Sequence, residues 1–251
     1  MTPLRIAYND LAKLQSVTAL TEAVGYPASN AVHPHLSRAW RSTSVATQWV
    51  KFDAGVGNTI DFDTAILVGH NLTAAAIVKV QTDDTDSWAP PGGMDKSGDP
   101  TQSIIFVSLS PSPTARRYAR VYIDDPTNGV GYLSVGRVFL CVRFDAEEAI
   151  GPGFQVSTED STLVSRSLTG QAFADLGVLS TIYSMSMATM KNATKVALLA
   201  ICRAVGQYDP VVVFPSDGID PLYATMTKLT KFTEQGGWGW VDDSLIFREA
   251  H

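Results

Sequence analysis

The segment that decides the fold spans residues 26–72 and reads YPASNAVHPHLSRAWRSTSVATQWVKFDAGVGNTIDFDTAILVGHNL. It begins with turn-forming residues such as Pro27 and Pro34, which favour an irregular loop. The later part reads as a succession of short strands and ends on the polar pair His70 and Asn71. This order predicts a β-sandwich whose first strands are held together by a long loop.

The clearest strand in this segment is predicted over Gln48–Asp53. Trp49 and Lys51 fall on one side of the alternation, while Val50 and Phe52 fall on the other. Alternation with period two is typical of a strand that buries one face. The pattern therefore predicts that Val50 and Phe52 point into a core.

Further strand-like runs follow across residues 60–81, 104–109, 117–123 and 132–142, with turn-rich segments between them. Many short strands without a helical pattern are typical of a sandwich. We therefore expect residues 1–148 to form an N-terminal β-sandwich, which the resemblance given below implies to be a jelly roll.

The chain changes character after residues 145–153, where acidic residues precede a Gly-Pro-Gly sequence typical of a linker. Strand-like runs continue, but apolar residues recur at helical spacing near 192–205. Asn192 is placed as the N-cap and Gly206 lies just beyond the predicted end. Residues 149–251 are thus predicted to form a β-rich domain with one buried helix, which makes the whole chain mainly β.

Composition narrows the class of protein. Of the 251 residues, 45% are hydrophobic, which is enough for a substantial core, and the 18% that are charged suggest a surface partly covered by partners. The net charge of -6 argues against nucleic-acid binding. We find neither a signal peptide nor an apolar run long enough to span a membrane, so we expect folding in the cytoplasm without membrane insertion. Cys141 and Cys202, in apolar surroundings, are expected to be free thiols.

The sequence shows no catalytic or metal-binding pattern. His70 could act as a general base, but no GxSxG motif accompanies it. His33 and His35 are too few for a zinc site, which needs about three or four ligands. The acidic loop at residues 82–101 could bind calcium, yet its spacing matches no EF-hand, and a solvated loop is the favoured interpretation. We expect no enzyme activity, no cofactor and no bound metal.

Four residues are candidates for contact with a ligand or partner. Trp88 and Asp95 lie in the long loop at residues 82–101, and exposed aromatic residues are often contact residues. Trp238 and Trp240 lie in the GGWGW sequence, beside glycines that permit close approach, and either a subunit contact or a core position is compatible with that pattern.

Another four residues are expected to act as a structural clamp. Trp40 and Trp49 lie within the structured segment, where we expect them to anchor the core. His70 and Asn71 end an apolar strand, where we expect them to cap the strand and hydrogen-bond to the loop over residues 26–40.

Three parts of the organising segment carry a resemblance to a known family. They are Ser29-Asn30-Ala31, Trp40-Arg41-Ser42 and the strand and turn from Gln48 to Gly55. Together they are similar to the start of discoidin-like, galactose-binding-like jelly rolls. Val68–Leu72 and Gly136–Phe139 resemble the version of that domain found in tail proteins of tailed bacteriophages.

The resemblance covers roughly residues 25–143 and implies a structural role in a virion, in the tail tip or baseplate. The chain would then work as a homo-oligomeric ring or adaptor beside other tail proteins, after assembly in the host cytoplasm. The alternative is a carbohydrate-binding module that attaches to host-surface glycan through Trp88 and its loop. The chain lacks the evident basic or aromatic ligand cluster of sugar-binding discoidin domains, so the structural role is the leading prediction.

Overall fold

The computed structural model describes residues 3–109, 114–148, 150–151, 154–166, 169, 171–187, 190–215, 218–228, 231–234, 239–242 and 244–251. Strands dominate the described chain, which confirms the mainly β fold class. The chain divides into two compact units. One is Ala7–Phe144, and the other combines the residues up to Ile6 with Asp145–Ala250.

The strands are, in chain order, β1 (Arg5–Ala7), β2 (Ser16–Ala19), β3 (Trp40–Arg41), β4 (Gln48–Asp53), β5 (Ile60–Phe62), β6 (Thr64–His70), β7 (Ile77–Asp83), β8 (Asp95–Gly98), β9 (Ile104–Ser108), β10 (Thr114–Arg116), β11 (Tyr118–Asp124), β12 (Ser134–Cys141), β13 (Phe144–Asp145), β14 (Gln155–Asp160), β15 (Leu163–Arg166), β16 (Ala172–Asp175), β17 (Leu179–Met185), β18 (Val211–Phe214), β19 (Leu222–Lys228), β20 (Phe232–Glu234), β21 (Trp240–Asp242) and β22 (Leu245–Glu249). The helices are the 3-10 turns Ala12–Leu14 and Ala28–Val32 and the α-helix α1 (Asn192–Val205). None of the helices in the described residues is long and apolar enough to cross a membrane.

The Ala7–Phe144 unit is a β-sandwich. One sheet has the order β2-β4-β11-β7-β8 and the other has the order β3-β12-β6-β9. The predicted alternation in β4 is confirmed, because Val50 and Phe52 are buried while Lys51 is only half-buried. Buried apolar side chains from both sheets form one core cluster, which includes Leu67 and Val121. Burial of such side chains is the main stabilising contribution to a fold of this kind.

The other unit is built on a seven-stranded sheet with the order β13-β1-β18-β19-β22-β17-β14. Helix α1 occupies the predicted range and ends at Gly206, whose φ of 57° suits glycine. It buries one face, while Val196 on the other side is 54% exposed, so the expectation of a helix apolar and buried all round is only partly met.

The N-terminus of α1 is capped differently from the prediction. Asn192 is the first helical residue and not the cap. The N-cap is Lys191, which makes no side-chain cap hydrogen bond. Glu148 lies beside it, and its carboxylate accepts hydrogen bonds from the Lys191 N–H at 2.9 Å and from the Thr194 hydroxyl at 2.6 Å. A carboxylate at this position also interacts favourably with the helix dipole.

The first strand belongs to a different unit from the one expected for residues 1–148. Strand β1 lies between β13 and β18 in the seven-stranded sheet and not in the sandwich. The N–H of Ala146 donates to the carbonyl of Leu4 at 2.8 Å, so the chain that leaves the sandwich pairs with its own beginning. A sequence cannot show this pairing, because the two partners are separated by the whole sandwich.

Two further expectations have a clear outcome. Cys141 and Cys202 are buried thiols that form no disulfide, as predicted. The loop at residues 82–101, expected to lack regular structure, contains strand β8, which pairs with β7 from Val78↔Gly98 to Gln81↔Asp95.

Candidate functional site

The outer face of the five-stranded sheet carries alternating aromatic and charged side chains. Strand β11 is central, and its pairing with β4 and β7 places residues from three strands side by side. The three rows across the strands are Asp53, Tyr118 and Asp83; Lys51, Arg120, Gln81 and Asp95; and Trp49, Tyr122, Lys79 and Ser97. We call these residues the outer-face rows.

The loop after β7 lies against these rows. Trp88 stacks over the guanidinium of Arg120 at 4.2 Å, and its indole N–H donates to Asp86 at 2.7 Å. The ammonium group of Lys51 also donates to Asp86, at 2.6 Å. Trp88 is therefore half-buried and bound to its neighbours, in contrast to the expectation of an exposed loop residue.

Asp83 holds this loop in shape. Its carboxylate accepts hydrogen bonds from the N–H groups of Thr85, Ser87 and Gly92 and from the hydroxyl of Thr85. Burial opposes ionisation of this carboxyl group, but these hydrogen bonds outweigh burial and lower its pKa to about 2. A carboxylate that accepts several N–H groups acts as the closing element of the turn.

The charges of the outer-face rows are matched within the rows and the loop. Asp95 accepts from Lys79 at 3.1 Å and from Gln81 at 3.2 Å, while Gln81 accepts from Arg120 at 2.6 Å. The chain of contacts Trp88, Arg120, Gln81 and Asp95 thus brings the two predicted loop contact residues together. Because their polar groups already have partners, these residues are better suited to holding the sheet face than to binding a ligand.

Trp49 also belongs to the outer-face rows and not to the core. It is half-buried, with the ammonium group of Lys51 at 5.5 Å from its ring centroid. The expectation that it anchors the core is corrected by the strand period, since Val50 and Phe52 take the inward positions.

The two tryptophans of the GGWGW sequence have different outcomes. Trp240 is half-buried, forms a bridge to Met190 through two backbone hydrogen bonds, and has the ammonium group of Lys195 at 3.5 Å from its ring centroid. Trp238 lies outside the described residues.

The remaining clamp residues have defined partners. Trp40 is fully buried, and its indole N–H donates to the carbonyl of Thr21 at 3.1 Å. His70 Nε2 lies 2.9 Å from the carbonyl of Gln102, and its Nδ1 accepts the N–H of Leu72, which makes Nε2 the donor. Burial lowers the pKa of His70, although the bond to Gln102 opposes that effect.

Asn71 joins the end of β6 to the start of β12. Its side chain donates to the carbonyl of Tyr132 at 2.9 Å and accepts the N–H of Ser134 at 2.8 Å. The partners of His70 and Asn71 are therefore different from the loop over residues 26–40 that we expected. Asn71 instead fixes the backbone that carries Tyr132.

A second group of residues, near this end of the sandwich, differs from the outer-face rows in one respect. The guanidinium of Arg41 lies between two tyrosine rings, 3.9 Å from the centroid of Tyr26 and 4.9 Å from that of Tyr132. Within the described part of the chain no hydrogen bond to this guanidinium is found, and its Nε is buried without a partner. We call Tyr26, Arg41 and Tyr132 the Arg41 cluster.

Backbone pairing positions each member of the Arg41 cluster. Arg41 ends β3, whose partner in β12 is Ser134, two residues after Tyr132. The N–H of Arg41 donates to the carbonyl of Tyr26 at 3.3 Å, and the N–H of Ala23 donates to the carbonyl of Arg41 at 2.8 Å. Trp40 anchors the strand from the buried side, so the half-buried Arg41 is held on a rigid element.

The Arg41 cluster offers a planar set of N–H donors to a ligand. An arginine side chain has five donors and no acceptor, and it matches paired oxygen atoms geometrically. A partly buried donor without a partner costs stability unless water or a ligand satisfies it. We did not select these residues from the sequence. Whether an arginine has a carboxylate partner depends on the residues that the fold brings near it, and the sequence around Arg41 does not show this.

The described residues contain no group of three or more His, Cys, Asp or Glu side chains that could hold a metal ion. The acidic residues of the loop are instead tied to neighbouring side chains and N–H groups, as Asp99 is to Thr101 and Gln102.

Comparisons with known proteins gave matches among solved structures. No family model and no curated protein matches the sequence. A Clostridium perfringens domain, CpGH89CBM32-5, in complex with GalNAc-β-1,3-galactose is 11% identical, with 53% of this chain and 100% of that chain covered and a TM-score of 0.43. A chitosan-binding module from Paenibacillus sp. IK-5 is 20% identical, with 53% and 98% covered and a TM-score of 0.40. The lectin domain of lectinolysin, complexed with Lewis B antigen, is 15% identical, with 54% and 98% covered and a TM-score of 0.42.

These similarities span about half of the chain, and at this level of identity and TM-score they assign no function to it. None of the three structures is described as a phage tail protein.

Proposed function

We propose that the Ala7–Phe144 unit binds saccharides and that the Arg41 cluster is its binding site. The observation that carries the proposal is the guanidinium of Arg41, held between Tyr26 and Tyr132 without a hydrogen-bond partner in the described chain. The proposed function is therefore the alternative predicted from the sequence, a carbohydrate-binding module. The proposed site is the Arg41 cluster and not Trp88 with its loop.

The chemistry of the cluster fits a sugar better than a phosphate polymer. Neighbouring sugar oxygens, or the carboxylate of an acidic sugar, can accept two parallel N–H bonds from one guanidinium. Tyrosine rings add apolar surface and hydroxyl groups, and the exposed Val24 and Val130 lie close in sequence to Tyr26 and Tyr132. A nucleic-acid site would instead need several Lys and Arg residues close together, whereas the Arg41 cluster contains one arginine and the chain has a net charge of -6.

Binding of the full-length chain to an array of neutral and acidic glycans tests the proposal, followed by titration calorimetry on the best ligand. Arg41→Ala should weaken binding by at least about tenfold, or roughly 1.4 kcal/mol. Arg41→Lys should weaken it similarly, because lysine keeps the charge but loses the planar donors. Arg203→Ala, an exposed arginine in α1, is the matched control and should bind as the wild type does.

Trp88→Ala separates this proposal from a site in the loop at residues 82–101. Normal binding by Trp88→Ala together with loss in both Arg41 variants supports the Arg41 cluster. The reverse result, or an array on which the wild type binds no glycan, contradicts it. Thermal unfolding of each variant shows whether a loss of binding reflects a loss of fold.

A structural role in a phage tail tip or baseplate is a second proposal, with other tail proteins as partners and no enzyme activity. The observation that favours it is a set of exposed apolar side chains between Val156 and Leu179, including Leu163 and Leu176. Large exposed apolar areas are typical of assembly surfaces. Mass spectrometry of purified phage particles tests this proposal, and absence of the chain from those particles would exclude it.

A further inference from the structure

Strand β14 and the described residues that follow it up to Leu179 expose nearly all of their side chains. Strands β14 and β17 pair from Gln155↔Ser184 to Asp160↔Leu179, and β15 and β16 continue the arrangement from Leu163↔Asp175 to Arg166↔Ala172. We call residues 155–166, 169 and 171–179 the hairpin segment. Among its described residues, twenty are exposed.

The exposed side chains of the hairpin segment include large apolar ones. Leu163 is 72% exposed and Leu176 is 91% exposed, and the others are Val156, Val164, Phe173, Val178 and Leu179. A two-stranded hairpin without further burial is only marginally stable in water. The segment therefore has the character of a surface that another chain covers.

The backbone of β14 is also open to pairing. β14 is the last strand in the order of the seven-stranded sheet, so among the described strands it has a neighbour, β17, on one side alone. The Ser161 N–H donates to the carbonyl of Val178 at 3.3 Å, which sets the phase of the ladder. Because ladder bonds alternate in an antiparallel pair, the N–H groups of Val156, Thr158 and Asp160 point away from β17.

We infer that the hairpin segment pairs with the same segment of a second copy of this chain, through antiparallel addition of β14 to β14. The inference is independent of saccharide binding. The twenty exposed residues of the segment provide enough surface to supply the roughly 20–30 residues per partner that a stable interface uses. Pairing of identical strands about a two-fold axis is also the arrangement found in most homo-oligomers.

Charge and ladder phase are both compatible with a register centred on Thr158. In such a pair, residues with outward N–H groups must lie opposite each other. This condition is met when the two-fold axis passes through Thr158. Thr158 then opposes Thr158 of the second copy, Val156 opposes Asp160, and Ser157 opposes Glu159. A threonine pair is favourable across strands, and no two carboxylates oppose each other. A shift of one residue to a centre at Glu159 would instead set two glutamates directly opposite.

Site-specific crosslinking of the full-length chain tests both the partner and the register. Directly opposed residues in such a pair have Cα atoms about 5.5 Å apart, within the range of a disulfide. Thr158→Cys should therefore give a disulfide-linked dimer under mild oxidation. Val156→Cys is the matched control, since it exposes a cysteine on the same strand face but is displaced from its counterpart by four residues. The native Cys141 and Cys202 are buried and do not compete.

Sedimentation velocity over a range of concentrations provides the second measurement. The wild type should dimerise, and Thr158→Pro, which removes one outward N–H group of β14, should weaken dimerisation at least tenfold while keeping the wild-type circular dichroism spectrum. A wild type that stays monomeric at the highest concentration overturns the inference, as does crosslinking that is equally efficient in the Thr158→Cys and Val156→Cys variants.

Discussion

Two arginines of the sandwich show how the surroundings of a residue separate structure from binding. Arg137 is fully buried and donates through Nη2 and Nε to the carboxylate of Asp10 at 3.1 and 3.3 Å. Asp10 also accepts the N–H groups of Ala12 and Leu140, so the pair ties the chain before β2 to β12. Arg41 has aromatic neighbours but, among the described residues, no carboxylate partner. Its guanidinium is therefore not used in an ion pair that supports the fold, as that of Arg137 is.

Asp83 permits a prediction about pH. Its folded pKa of about 2 lies below the ordinary 3.8, so its stabilising effect is complete above about pH 4 and disappears as the pH falls towards 2. Asp83→Asn should lower the melting temperature at pH 7, and the difference from the wild type should shrink over that acidic window. Melting curves of both proteins from pH 7 to pH 2 check this. A difference that stays constant across the window would show that the ionised carboxylate is not what holds the turn.

At the scale of elements, strand β8 depends on the absence of a side chain. Gly98 lies opposite Val78, and a Cβ at this position would lie 2.6 Å from Ile105 and 3.0 Å from Val107. Those two residues belong to β9, in the other sheet of the sandwich. Strand β8 can therefore pack at the edge of the five-stranded sheet because glycine leaves room for side chains of the opposite sheet.

Gly98→Ala should therefore destabilise the sandwich by about 1–3 kcal/mol, the usual cost of overpacking a core. Gly129→Ala is the matched control, because a Cβ there meets no atom within 4 Å. Urea unfolding of both variants measures the difference. Equal unfolding free energies would mean that β8 and β9 can separate without cost.

At the scale of the whole molecule, the sandwich has a core of its own. Every residue of the core cluster, from Ala12 to Leu140, lies within Ala7–Phe144. The Asp10–Arg137 pair and the Asn71 contacts also lie within those limits. A region that contains its own core can usually fold independently.

We expect residues 7–144, expressed alone, to unfold cooperatively in urea and to keep the saccharide affinity of the full chain. Circular dichroism and calorimetry measure these two properties. A broad transition without tertiary signal would show that the sandwich needs the rest of the chain, and β1 in particular, to fold.

Local pattern was sufficient for much of the fold. The alternation in Gln48–Asp53 identified the buried face of β4, and apolar spacing with Gly206 located α1 near residues 192–205. Strand β8 was missed because Asp, Ser and Gly are poor strand formers, and its pairing with β7 supplies what its composition does not. The N-cap was placed at Asn192 and lies at Lys191, whose side chain is not of the capping type and so gives no local signal.

By itself, the sequence determined most of the strands, the helix that follows the sandwich and the burial of the two cysteines, because these depend on local periodicity and hydrophobicity. Only the tertiary structure decided the site. Trp88 and Asp95 find partners, while Arg41 finds aromatic rings and no acceptor, because hydrogen-bond satisfaction depends on residues from distant strands. The exposure of the hairpin segment is likewise a tertiary property, since its alternating sequence would suit a buried strand equally well.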